Sequence, residues 1–249
     1  MEEPVHVEHG DNVVSITLNR PARRNALSLP LLGALGEALS KAAAGDAGAV
    51  VLAGAGGCFS AGADLAELSG TLEDRAIDDA IETVTDAIRT LPVPVIAAID
   101  GACLGGAFDI AVSCDVRIAS ADAFFQVPAT RLGLLYNPRS IIRMRKRLGR
   151  DAVFNLLVLG RRLDADGALE ARVVSSVVGE GGSRAAALET AGLAAGNVRG
   201  AVAASKALLN AIDGGEFDAG HWETVRNEHL SSPERERAVT EAKARLKDS

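Results

Sequence analysis

What most constrains the folding of this chain is a set of short, wholly apolar runs separated by helix-length segments. Ala49 to Ala53 is one such run, and it ends in Gly54-Ala55-Gly56-Gly57. An apolar run of this length without alternation reads as a strand buried on both faces, and the glycines after it as a turn. Pro94 to Ile99 and Val116 to Ala119 repeat the pattern. Between the runs lie a charged helical stretch from about Leu72 to Arg89 and a second from Gly105-Gly106 through Cys114. Strands alternating with helices predict an α/β layered core.

The flanks extend this reading. Val14, Ile16 and Leu18 alternate with Ser15 and Thr17, which predicts a strand with one buried face, ending at Arg20-Pro21. Ser28, Pro30 and the recurrence of Leu31, Leu35 and Leu39 predict a capped helix. Beyond about Gly182 Ala-rich amphipathic helices take over, broken at Gly196-Asn197, Gly214-Gly215 and Ser231-Ser232-Pro233. We expect a core over residues 1–190 and a C-terminal helical region over 191–249.

Composition excludes several classes. The chain has 249 residues, 48% of them hydrophobic, enough to bury a large core. Its net charge of −7 argues against a general nucleic-acid partner, which needs a basic footprint. Cys58, Cys103 and Cys114 lack metal-ligand spacing and sit in apolar runs, as buried thiols do in a reducing compartment. The four histidines, His6, His9, His221 and His229, form no ligand cluster, so no metal is expected. The acidic start Met1-Glu2-Glu3 carries no secretory signal, and no apolar stretch reaches the roughly 20 residues that span a bilayer. These features predict a soluble, cytoplasmic protein with no membrane association.

Two turns carry the chemistry. Cys58-Phe59-Ser60-Ala61-Gly62-Ala63-Asp64-Leu65 follows a buried strand, at the strand end where α/β proteins place ligands. Its small residues let a ligand approach the main chain and leave the Ala63 N–H free to donate. In Gly101-Ala102-Cys103-Leu104-Gly105-Gly106-Ala107-Phe108-Asp109 two glycines open a helix, whose first N–H groups lack partners and carry partial positive charge. Two such amides aimed at one point make an oxyanion hole, each donor worth roughly 3–4 kcal/mol in the transition state. A Gly-Gly pair before a helix also occurs for packing alone. It is the pairing of two such turns, about 40 residues apart, that points to function.

The motifs in order resemble the crotonase (enoyl-CoA hydratase/isomerase) superfamily. The resemblance rests on Asn19-Arg20-Pro21, Arg24-Asn25-Ala26-Leu27, Phe59 to Asp64, Gly101 to Gly106, Cys114 to Ala119 and Ala123-Phe124-Phe125, spread over about residues 5 to 210. It implies a crotonase-type spiral of ββα units with a C-terminal α-helical trimerisation layer, and a homotrimer or hexamer. It also implies acyl-CoA thioester substrates, with coenzyme A part of the substrate and no separate cofactor. The oxyanion donors would be the N–H groups of Ala63 and Gly106, the latter in the Gly105-Gly106 turn. Ala63, Asp64 and Leu65 would lie along the CoA moiety, and Ala26 and Leu27 would line its entry. Arg23 and Arg24 would be placed for its phosphates.

The chain departs from family hydratases at the proton-transfer positions. Where these carry two glutamates, it has Asp109 and Ala129. Aspartate retracts the carboxylate by about 1.5 Å, and alanine has no proton to give. A positioned acid or base contributes about 10²–10⁴-fold, so efficient hydration is not expected, and Asp109 is left as the sole carboxylate acid/base. Dienoyl-CoA isomerases of the family use an aspartate at the Asp109 position but place further carboxylates at Ala129 and Asn137. Leu132 to Asn137 resembles the tyrosine-bearing loop of methylmalonyl-CoA decarboxylases, although those carry histidine at Ala63. In that reading Tyr136 orients or protonates, with Asn137 bonding nearby; otherwise its phenol anchors a loop. Arg139 to Arg150 holds six basic residues and reads as a solvated or interface helix face. Three readings stand: a hydratase/isomerase-family enzyme, a malonyl-type decarboxylase or other lyase using Tyr136, and an acyl-CoA-binding protein without catalysis.

Overall fold

The computed structural model describes residues 3–246. Met1 and Glu2 of the acidic start, and residues 247–249 of the C-terminal region, therefore lie outside the described residues. The strands are β1 (Val5–His9), β2 (Val13–Leu18), β3 (Ala49–Gly54), β4 (Val95–Ile99), β5 (Ala102–Leu104), β6 (Val116–Ser120), β7 (Phe124–Gln126), β8 (Leu163–Asp164) and β9 (Ser176–Val178). They build a six-stranded sheet ordered β1-β2-β3-β4-β6-β9 and a three-stranded sheet ordered β5-β7-β8. The large sheet is parallel apart from the β1–β2 pair. The chain lays β4 in the large sheet and β5 in the small one before its helix, then repeats with β6 and β7. This is the expected α/β spiral of ββα units.

The helices are α1 (Leu29–Ala44), α2 (Arg75–Thr90), α3 (Gly106–Ser113), α4 (Pro138–Leu148), α5 (Arg150–Val153), α6 (Ala165–Glu170), α7 (Ser183–Ala195), α8 (Arg199–Gly214), α9 (Ala219–Leu230) and α10 (Pro233–Arg245). Ser28 caps α1 as its sequence predicts, accepting from the Leu31 N–H at 3.3 Å. One face of the large sheet packs with α1, α2 and α3 in a core that includes Ile16, Leu35, Leu52, Ile88, Ile99 and Phe108. Phe108 meets Phe125 edge-on, ring centroids 6.2 Å apart.

The other face is covered by α7, whose fully buried Ala187 and Ala191 lie on Val51, Ile96 and Ile118. One expectation changes here. β2 is buried on both faces rather than one: Ser15 and Thr17 are enclosed, and Arg184 at the start of α7 donates to Thr17 Oγ1 at 3.0 Å. α7, which spans residue 190, sits close on the sheet through its small alanines. Helices that extend beyond the core begin with α8, and α9 and α10 bury no residue. No helix among the described residues is long and apolar enough to cross a membrane.

Candidate active site

The first turn leaves β3 through glycines because little else fits. A Cβ on Gly54 would sit 2.1 Å from the Cys58 carbonyl oxygen. The chain then runs beside β5: Ser60 N–H donates to the Ala102 carbonyl at 2.9 Å, and Leu104 N–H to the Ser60 carbonyl at 3.1 Å. Gly62 has a φ of +85°, and a Cβ there would lie 2.6 Å from the Leu104 carbonyl oxygen. This approach brings the turn at residues 62–63 against the turn at 104–106. Leu27 pairs with the same segment, donating to the Gly62 carbonyl at 2.8 Å and accepting from Asp64 N–H at 3.0 Å. The Ala63 N–H between those bonds donates to no group among the described residues.

The second turn has the same character. Gly105, at φ +54°, donates to the Gln126 carbonyl at 2.9 Å. Its own carbonyl accepts from Phe108 N–H at 3.0 Å, Asp109 N–H at 3.4 Å and the Tyr136 hydroxyl at 3.0 Å. The Gly106 N–H, first of α3, donates to no group among the described residues. A Cβ on Gly106 would lie 2.5 Å from Ile81 Cδ1 and 3.3 Å from Leu27 Cδ1. Leu27 is thus bonded to one turn and packed against the other. Two unpaired amides, each carried by a glycine-built turn, lie in adjacent segments.

The network beneath these turns comes from Asn19 to Ser28. Asn25 is fully buried at φ +53°, where an asparagine is tolerated. Its side chain donates to the carbonyls of Ala55 and Cys58 and accepts from Arg20 N–H. Arg20 reaches the Ala26 carbonyl at 2.6 Å and pairs with Asp64 at 3.1 Å. Asp64 is therefore held by Arg20 and Arg23 rather than presented to solvent. Leu65 is 69% exposed, Arg24 is exposed at a left-handed φ of +49°, and Ala26 is buried.

Asp109 is 1% exposed, and its carboxylate is fully engaged. Arg143 Nη2 lies 2.9 Å from Oδ1 and 2.8 Å from Oδ2, Arg143 Nε lies 3.2 Å from Oδ1, and Ser140 Oγ lies 2.5 Å from Oδ2. Burial raises its carboxyl above the usual range, with Arg143 and Ser140 pulling the other way. A carboxylate gripped on both oxygens has no free lone pair facing a substrate. Through Arg143 and Ser140, both on α4, Asp109 joins α3 to α4. Ala129 is buried in the apolar core, and its side chain carries no polar atom.

Tyr136 and Asn137 lie at the entrance to α4. Burial, with Asp109 and Asp78 nearby, pushes the Tyr136 phenol well above its usual value, so it holds its proton. Asn137 caps α4 through the Arg139 N–H and donates to Asp78 at 3.1 Å and Glu82 at 2.9 Å. Asp78 and Glu82, one turn apart on α2, line a surface cavity of about 500 Å³ with Arg75, Asn137 and Arg139. Burial raises the Asp78 carboxyl, opposed by the Asn137 bond and reinforced by Asp79, Asp109 and Glu82. At Glu82 burial is outweighed by Asn137 and Arg139, and the carboxyl is lowered.

Asp78, Glu82, Ser140 and Arg143 were not singled out from the sequence. The available signal was spacing, since Asp78 and Glu82 are four apart, as are Arg139, Arg143 and Arg147. The basic stretch is not one solvated face. Arg143 is buried on Asp109, Arg147 donates to the carbonyls of Val112 and Cys114 at the end of α3, and Arg139 pairs with Glu82.

Together, a ββα spiral and two adjacent glycine-built turns, each with a main-chain N–H unpartnered among the described residues, define the class of α/β protein to which the site belongs. The family model described as enoyl-CoA hydratase/isomerase matches residues 8–215. The chain is 35% identical over 196 residues to the echA6 protein of Mycobacterium leprae, named a probable enoyl-CoA hydratase, covering 76% of this chain and 77% of that one. It is 34% identical to the mitochondrial Δ(3,5)-Δ(2,4)-dienoyl-CoA isomerase of Mus musculus, covering 67% of this chain and 55% of the isomerase. A crystal structure of an enoyl-CoA hydratase/carnithine racemase from Magnetospirillum magneticum superposes with a TM-score of 0.92 at 29% identity, covering 98% of this chain and 94% of that one. The chain belongs to the enoyl-CoA hydratase/isomerase family, a family of enzymes.

Proposed function

We propose that the chain binds an acyl-CoA thioester with the thioester oxygen between the N–H groups of Ala63 and Gly106, which stabilise its enolate. The observation that carries this reading is the pair of unpartnered amides on turns held together by Gly62 and Leu27. The CoA moiety would run along Ala63 to Leu65 past Ala26 and Leu27, with its phosphates toward Arg23 and Arg24. Family membership and relatives named for enoyl- and dienoyl-CoA chemistry support this substrate class.

For the proton step we assign Asp78. It lies one turn before Ile81, whose side chain packs toward Gly106, and it borders the surface cavity of about 500 Å³. A single carboxylate suffices to carry a proton between two carbons of an enoyl chain, so isomerisation is favoured over hydration. Asp109 enters as the buried anchor of α4, and Tyr136 as a group whose proton is committed to the Gly105 carbonyl. That commitment disfavours a decarboxylase in which Tyr136 delivers the proton. The second reading is acyl-CoA binding without turnover, favoured by the engagement of Asp109 and the apolar character of Ala129.

A panel of enoyl-, dienoyl- and malonyl-type CoA thioesters tests the assignment, with and without Asp78→Asn. Double-bond migration that collapses in the variant supports it. Hydration of crotonyl-CoA at ordinary enzyme rates would refute it, and tight binding without any turnover would leave the second reading. We further propose a homotrimer or a pair of trimers built through the C-terminal helices, where Leu209, Ile212 and Phe217 are exposed. A monomer in sedimentation velocity at micromolar concentration would contradict it.

A further inference from the structure

The peptide unit joining Gly105 to Gly106 has two ends with different fates. Its N–H, on Gly106, donates to no group among the described residues, whereas its carbonyl oxygen, on Gly105, accepts three hydrogen bonds. Two of the three come from the first turn of α3, the N–H groups of Phe108 and Asp109, and any helix start supplies such bonds. The third is the Tyr136 hydroxyl at 3.0 Å, which the chain brings from 31 residues away.

A peptide is a resonance hybrid, so hydrogen bonds at its oxygen draw electron density from its nitrogen and make the N–H a stronger donor. The donor here is fixed in place. Tyr136 precedes Asn137, the cap of α4, and α4 is bolted to α3 by Arg143 on Asp109. Buried, and bonded to an oxygen that can only accept, the phenol keeps its proton on the Gly105 carbonyl.

We propose that Tyr136 is a positioning residue that strengthens and aims the Gly106 N–H by donating to the carbonyl of the same peptide unit. The inference rests on the reading of Ala63 and Gly106 as thioester-oxygen donors, and it goes beyond that reading by making a side chain that touches no substrate set the strength of one donor. A purely structural phenol would hold the loop in place and leave that strength unchanged.

The test uses 4-(dimethylamino)cinnamoyl-CoA, whose absorption moves to the red when its thioester oxygen is polarised. Tyr136 is the sole tyrosine of the chain, so growth on 3-fluorotyrosine alters this phenol alone, making it a stronger donor of nearly the same shape. The expected result is a graded series at saturating probe. Tyr136→Phe loses about 10–30% of the red shift, the share one bond contributes to a cooperative chain, and the fluorinated protein gains over the unaltered one. Thermal melting run alongside reports any loss of fold, and the fluorinated protein supplies the answer if Tyr136→Phe is unstable. Equal red shifts in all three overturn the inference and leave the substrate reading intact. Binding with no red shift in the unaltered protein overturns both.

Discussion

Arg143 holds both carboxylate oxygens of Asp109 through Nη2, at 2.9 Å and 2.8 Å, in a place closed to solvent. The pair joins α3, which begins at the Gly106 amide, to α4, which begins just after Tyr136. Removing one partner strands the other as an uncompensated buried charge. Asp109→Ala or Arg143→Met should each lower stability by about 3–5 kcal/mol in urea unfolding. The double variant Asp109→Leu with Arg143→Met should recover most of that loss, because two apolar groups of similar volume leave no charge behind. A double variant as unstable as the sum of the singles would show that the pair is not the link between these helices.

Asp78 makes a pH-dependent prediction. Burial raises its carboxyl, so the folded chain keeps that proton to a higher pH than the unfolded chain does. Its contribution to stability is therefore complete below the ordinary aspartate range and is lost as the pH rises through the raised folded value. As a base it must be ionised, so kcat/KM should climb on an acid limb placed above the ordinary aspartate range. Asp78→Asn should abolish that limb and lower kcat by about 10²–10⁴-fold, and it should also flatten the fall in stability across the same window. An acid limb unchanged in Asp78→Asn would assign the proton step to another group.

Lys206 fastens the C-terminal helices to the core. Its ammonium donates to the carbonyls of Ile88 and Val93, each at 3.0 Å, and to Asp115 Oδ2 at 2.7 Å, and it is the one buried residue of α8. Lys206→Met keeps the length of the stem and removes three charge-assisted bonds. It should cost about 2–3 kcal/mol and raise amide exchange in α8 well before that in β4. Uniform exchange in the two elements would show that α8 is held by other contacts.

How far these features were legible depends on whether the deciding contacts were local. The buried strands β3, β4 and β6, the cap at Ser28 and the two glycine turns follow from residues close in sequence. The turns and their neighbours also carry a family pattern, and with it the spiral. The second face of β2 was not legible, because it is closed by α7, about 170 residues further on, and Ser15 and Thr17 look solvent-facing without it. The surroundings of Asp109 were hidden for the same reason: its position one turn after Gly106 is local, whereas its engagement by Arg143 and Ser140 is made 31 to 34 residues away. The basic run around Arg143 reads as surface by composition. Only the spacing of Arg139, Arg143 and Arg147 on one helix face hinted that each meets a different partner.

Gly62 offers the sharpest separation of site from scaffold. Its φ of +85° disfavours any side chain, and a Cβ there would press to 2.6 Å on the Leu104 carbonyl oxygen. The obstacle is backbone, so relief requires the 62–63 turn to move away from the 104–106 turn. Gly62→Ala should cost about 1–3 kcal/mol in stability from strain at the left-handed position. Because the proposed thioester-oxygen site needs the Ala63 and Gly106 amides side by side, affinity for an acyl-CoA should fall further than the stability loss explains, by tenfold or more in isothermal titration. Gly57→Ala is the control, since Gly57 also has a positive φ, +68°, but a Cβ there meets nothing within 4 Å. It should carry the strain and spare the binding. Equal losses of binding in the two variants would mean that the contact between the turns does not set the position of the Ala63 amide.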